Sequence, residues 1–130
     1  MDNTDVVELD KTRWKNLVEN GDKLVMVMFY SSTCVHCQAM ESHFYKYAEE
    51  LKNKIVFGKI NIIDNQELVA KYGIMGTPTF KVFCEGRPIQ ELVGEIYPSL
   101  LKKTIEDLYN YGHQCVKTTT WFKPGITGYA

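Results

Sequence analysis

The run Leu24-Val-Met-Val-Met-Phe-Tyr30 is apolar without alternation and too short for an ordinary helix. A stretch of that kind predicts a central strand buried on both faces. Ahead of it, Val6, Val7 and Leu9 predict a short first strand. Asp10 then stands as the N-cap of a helix with Trp14, Leu17 and Val18 on one face, closed by Gly21. Ser31-Ser-Thr33 breaks the strand, and Met40, Phe44, Tyr47, Ala48 and Leu51 recur at three- and four-residue spacing. That period predicts a helix starting at or near Cys34 and ending before Asn53.

Ile55 to Ile62 reads as another strand, and Asn65 as the cap of a short helix whose Leu68 and Tyr72 point inward before Gly73. Gly76-Thr-Pro78 is a turn. Thr79 to Cys84 and Ile89 to Val93 are apolar runs joined by the hairpin-like Glu85-Gly-Arg-Pro88, and a last helix after Pro98 carries Leu101, Ile105, Leu108 and Tyr109 on its buried stripe. Strands alternating with helices and ending in a hairpin predict an α/β fold. Its central mixed β-sheet has parallel crossovers, a terminal antiparallel pair and helices on both faces.

Composition narrows the class. The chain has 130 residues, 45% hydrophobic and 24% charged, enough for one core in one domain. Fifteen basic against 16 acidic residues give a net charge of -1, so no chain-wide attraction to nucleic acid or anionic lipid is expected. No stretch approaches the ~20 apolar residues of a membrane span, and the first residues show no leader. A cytoplasmic monomer is therefore the expectation for the chain as given, with an export signal removed earlier left open. The segment 112–130 has no helical period, yet Trp121, Phe122, Ile126 and Tyr129 make it apolar enough to pack as an extension on a domain spanning 1–111.

The chemistry concentrates at Cys34-Val-His-Cys37, where a buried strand gives way to a helix. A thiolate on the first helical turn faces unpaired N–H groups and the positive end of the macrodipole. Cys34 is thus expected to be the low-pKa, attacking sulfur, and Cys37, one turn deeper, the resolving thiol. A zinc site would need two further ligands at a recognisable spacing, and no second Cys-x-x-Cys or His-x-x-x-His is present, so neither a metal nor an organic cofactor is called for. His36 beside the thiolate would stabilise the dithiol form and make the disulfide a better oxidant. Met26, Met28, Met40 and Met75 read as core filler. Cys84 and Cys115 stand alone in sequence; they are either a thiol pair left reduced or, if the extension folds back, a bridge.

With these motifs the chain resembles the thioredoxin superfamily from about Val6 to Tyr109. The matching segments are Met28-Phe-Tyr-Ser-Ser-Thr-Cys-Val-His-Cys37, Lys59-Ile-Asn-Ile62 and Lys71-Tyr-Gly-Ile-Met-Gly-Thr-Pro-Thr79. The resemblance implies the thioredoxin fold, a redox-active Cys34–Cys37 disulfide, and a cis Pro78 whose loop lies beside the two sulfurs. It also implies that Thr77 offers its backbone to an extended substrate, with Met75 at the same groove and Tyr30 and Lys59 in support. Two departures stand out. Thr33 replaces the Trp that usually precedes the first cysteine, and Met28 replaces the buried acid that serves the second cysteine as proton acceptor, leaving Lys59 without its usual partner. His36, in the place where thioredoxins carry proline, is the isomerase-like residue.

The function expected is a thiol-disulfide oxidoreductase acting on protein disulfides or dithiols and recycled by an unidentified redox partner. The alternative is a non-catalytic module that holds one specific partner at the groove between Cys34 and Pro78.

Overall fold

The computed structural model describes residues 5–112. Strand β1 (Val6–Glu8) leads to Asp10, whose carboxylate accepts from the Arg13 amide at 2.8 Å and caps α1 (Lys11–Arg13). The helix then widens into a π-helical segment over Trp14–Glu19, where the Asn20 amide reaches back five residues to the Lys15 carbonyl. Gly21 follows at a point where any Cβ would overlap the Leu17 carbonyl oxygen. The remaining elements are β2 (Leu24–Tyr30), α2 (Val35–Leu51), β3 (Val56–Asn61), α3 (Gln66–Lys71), β4 (Thr79–Cys84), β5 (Arg87–Val93) and α4 (Pro98–Gly112).

The five strands form one mixed sheet in the order β1-β3-β2-β4-β5. β3 runs parallel to β1 and β2, while β4 is antiparallel to both β2 and β5. β2 lies at the centre, and its side chains alternate between two cores. Met26 and Met28 pack with Met40, Phe44 and Ala48 of α2 and with Leu101 and Ile105 of α4. Val25, Val27 and Phe29 pack with Trp14, Val18 and the partly buried Leu68 and Tyr72 on the other face. Both faces of β2 are covered, which is why its sequence lacks the alternation of a half-exposed strand.

Several local expectations need correction. Asn65 occupies the N-cap position of α3 without capping it; its amide donates instead to the Asn61 carbonyl at 2.9 Å. β5 begins two residues earlier than its apolar run, because the turn needs only Glu85 and Gly86, with φ of 51° and 83°. Positive φ at both positions matches the right-handed strand twist. Tyr109 is 37% exposed, its ring beneath the Lys54 ammonium at 4.8 Å, so α4 buries Leu101 and Ile105 but not Tyr109. Met75 is no core filler, being 95% exposed. The packed extension, and the Cys115 side of any Cys84–Cys115 bridge, fall outside the described residues; Cys84 is fully buried at the end of β4. No described helix is long and apolar enough to cross a membrane.

Candidate active site

The C-terminal end of β2, the start of β4 and the end of β5 meet at one edge of the sheet, since Phe29 pairs with Thr79 and Thr79 with Val93. From that edge the chain leaves β2 through Ser31-Ser-Thr33 and enters α2. Cys34 is its N-cap, in extended conformation, and accepts the Cys37 amide on its sulfur at 3.1 Å. Cys34 and Cys37 are disulfide-bridged, with Cα atoms 5.2 Å apart. The two are not equivalent: Cys34 is partly exposed, whereas Cys37 is 4% exposed beneath the first turn.

The opposite wall is the loop into β4. Its Thr77–Pro78 peptide bond is cis. Thr79 Oγ1 donates to the Gly76 carbonyl at 2.6 Å and the Gly94 amide to the Pro78 carbonyl at 2.7 Å, so this loop is tied both to itself and to the end of β5. Gly94 has φ of 93°, a conformation that suits glycine. Pro78 is buried and Thr77 half-buried. Val35 on the first turn of α2, Met75 in the loop and Val93 at the end of β5 all expose large apolar side chains.

His36 projects from the same end of α2, and its Nδ1 lies 2.7 Å from Glu95 Oε1 just beyond β5. Among the described residues its hydrogen bond goes to that carboxylate, not to a sulfur. The contact lies 59 residues away in sequence, so Glu95 gave no signal in the pattern of the chain.

Lys59 also differs from expectation. Met28 is fully buried and lies directly beside Lys59 in the β2–β3 register, so no carboxylate reaches the lysine from β2. Yet Lys59 is not without acids. Its Nζ is 3.8 Å from Glu8 of β1 and 3.7 Å from Glu41 of α2, it donates to the Tyr45 hydroxyl, and it sits over the rings of Tyr30 and Tyr45. Tyr30 donates to both Glu8 oxygens at 3.0 and 2.9 Å, and Tyr45 donates to Glu41 at 3.2 Å. Burial pulls the lysine's pKa down, but the Tyr45 hydrogen bond and the electrostatic attraction of Tyr45, Glu8 and Glu41 outweigh it and leave the ammonium above its ordinary value. The Tyr30 phenol is held well above its ordinary value, first by burial, then by its bonds to Glu8 and the Glu8 charge. Glu8 could have been found from the parallel pairing, which sets it in the row of Lys59; Glu41 and Tyr45 follow Cys37 at four and eight residues along one helical ridge.

A mixed five-stranded sheet with helices on both faces, and a Cys-x-x-Cys pair opening a helix at its edge, define the thiol-disulfide oxidoreductases of thioredoxin fold. The thioredoxin family profile matches residues 5–107, and the chain belongs to that family. It is 36% identical over 74 residues to a thioredoxin of Alicyclobacillus acidocaldarius subsp. acidocaldarius, covering 57% of this chain and 70% of that protein. It is 37% identical over 79 residues to protein disulfide-isomerase A6 of Mus musculus, covering 61% of this chain but 18% of the isomerase. A Drosophila melanogaster homolog of that isomerase is 35% identical over 82 residues, covering 63% of this chain and 19% of the homolog. The crystal structure of Malassezia sympodialis thioredoxin superposes with a TM-score of 0.74 at 27% identity, over 80% of this chain and 90% of that one.

Proposed function

We propose that the chain exchanges disulfides with protein substrates, with Cys34 as nucleophile and Cys37 as resolving thiol. The asymmetry of the pair supports this most directly: one sulfur is partly exposed at a helix N-cap and accepts a backbone N–H, while the other is covered. The Cys34 thiolate attacks one sulfur of a substrate disulfide and expels the other as a thiolate. Cys37 then attacks Cys34, re-forming the intramolecular disulfide and releasing the second substrate thiolate; two electrons pass from dithiol to substrate, and the reverse sequence oxidises it. An extended substrate segment lies along Thr77, whose peptide no hydrogen bond among the described residues engages, and against the exposed Val35, Met75 and Val93.

In poise the reading is isomerase-like, because His36 replaces a proline between the cysteines and can place positive charge at the mouth of the site. Glu95 offsets part of that charge, so the effect is smaller than the sequence suggests. A separate redox partner recycles the pair. The test is a Cys37→Ser variant offered a peptide disulfide. A mixed disulfide accumulating on Cys34 is expected. Mixed disulfide at Cys84 or Cys115 in equal yield would refute the assignment.

A further inference from the structure

Cys37 must lose a proton before it can resolve a mixed disulfide, and its surroundings do not offer an obvious acceptor. It is 4% exposed, and β2 (Leu24–Tyr30) carries no carboxylate. The nearest carboxylate along its own helix is Glu41, one turn on. Residues four apart on a helix have Cβ atoms about 5–6 Å apart, and helical side chains lean toward the N-terminus, so Glu41 extends over the turn that carries Cys37. Its carboxylate is fixed in place by Lys59 at 3.7 Å and by the Tyr45 hydroxyl at 3.2 Å, yet its side chain is 43% exposed. By helix geometry the carboxylate belongs to the turn next to the buried thiol, and it is open to water.

We propose that Glu41 is the proton acceptor for Cys37, supplied from the helix because β2 carries Met28 where an acid would otherwise stand. The proposal rests on Cys34 and Cys37 acting as the exchanging pair. In the resolving step the Cys37 proton passes to the Glu41 carboxylate and the freed sulfur electron pair bonds to Cys34. The bond from Cys34 to substrate sulfur breaks, and the substrate leaves as a thiolate that is protonated by water. Glu41 then returns its proton to solvent on its exposed side. The charged and titratable groups around Glu41 are Lys59 on β3, Glu8 on β1, Tyr30 on β2 and Tyr45 on α2 itself. From α4 no ion pair reaches it among the described residues. Lys59 keeps the carboxylate in place, and Glu8 with Tyr30 keeps Lys59 in place.

The experiment separates attack from release by stopped-flow on the reduced full chain with a fluorogenic peptide disulfide. Glu41→Gln should leave formation of the Cys34 mixed disulfide at the wild-type rate. It should slow release about a hundredfold, the lower end of what a positioned general base contributes, because this one is partly solvated. The pH profile of release should move to higher pH, because hydroxide must then take the proton. Glu41→Asp should recover part of the rate, and Glu49→Gln, an equal loss of charge elsewhere on α2, should match wild type. Unchanged release in Glu41→Gln, or a pH profile that does not move, overturns the proposal. If the wild-type chain forms no mixed disulfide at all, the reading of the site as an exchanger fails instead.

Discussion

Removing the Tyr30 hydroxyl tests the Glu8–Lys59–Glu41 cluster through its dependence on pH. In the folded chain the Tyr30 phenol and the Lys59 ammonium both hold their protons above their ordinary values. The unfolded chain releases those protons near pH 10 to 10.4, the ordinary range for the two groups. Each therefore contributes stability that is fully present below that range and is lost as the pH rises through the higher folded value. The limiting slope is about 1.4 kcal/mol of lost stability per pH unit for each group. Water reaches both, so the measured slope will be smaller. Tyr30→Phe removes one of the two contributors and should leave a shallower fall above pH 10. Near neutrality its cost should be modest, about 1 kcal/mol for a hydrogen bond to a half-exposed carboxylate that water can replace. Urea unfolding of wild type and variant at several values between about pH 8 and 11 reads both quantities, with the other tyrosines and lysines cancelling in the difference. Parallel curves across that range would show that Tyr30 is solvated like any surface phenol, and the bonded cluster would have to be abandoned.

Two further outcomes follow from contacts at the site and at the helix end. Glu95→Gln removes a negative charge from the mouth of the active site, where the His36–Glu95 pair is 68% and 47% exposed. An exposed pair is worth about 0.2 to 1 kcal/mol, so the potential measured against glutathione should become more oxidising by no more than about 20 mV. A move toward more reducing values would refute this reading of Glu95. Gly21→Ala forces a methyl group into the Leu17 carbonyl, which should cost about 1–3 kcal/mol and lower the melting temperature by several degrees. An unchanged melting temperature would show that the π-helical end yields without strain.

What could be read from the chain was what neighbouring residues encode. β2 and α2 declared themselves by run length and period, and Cys34 by its place at the junction between them. Lys59 was misjudged because its acids come from Glu8 and Glu41, brought in by strand pairing and by α2 packing, contacts that periodicity cannot see. The same holds for His36 and Glu95. The π-helical widening after Arg13 escaped for another reason: Trp14 and Val18 bury equally well at three-to-four-residue spacing in either kind of helix. Asn65 had a competing acceptor at Asn61, and side-chain amides near turns choose between such partners only once the turn exists.

The outermost described strands also bear on how the molecule behaves in a crowd. β1 is three residues long, too short to template a neighbour. β5, on the far side, carries Pro88, which has no N–H to offer, and a bulge opposite Val82 and Phe83. Arg87, Gln90 and Glu91 are exposed along it. A second chain approaching either edge finds a broken ladder and charge instead of a continuous row of donors and acceptors. A protein whose proposed work brings it against unfolded, disulfide-bearing chains can therefore meet extended backbone at the Thr77 loop without recruiting it along the rest of the sheet.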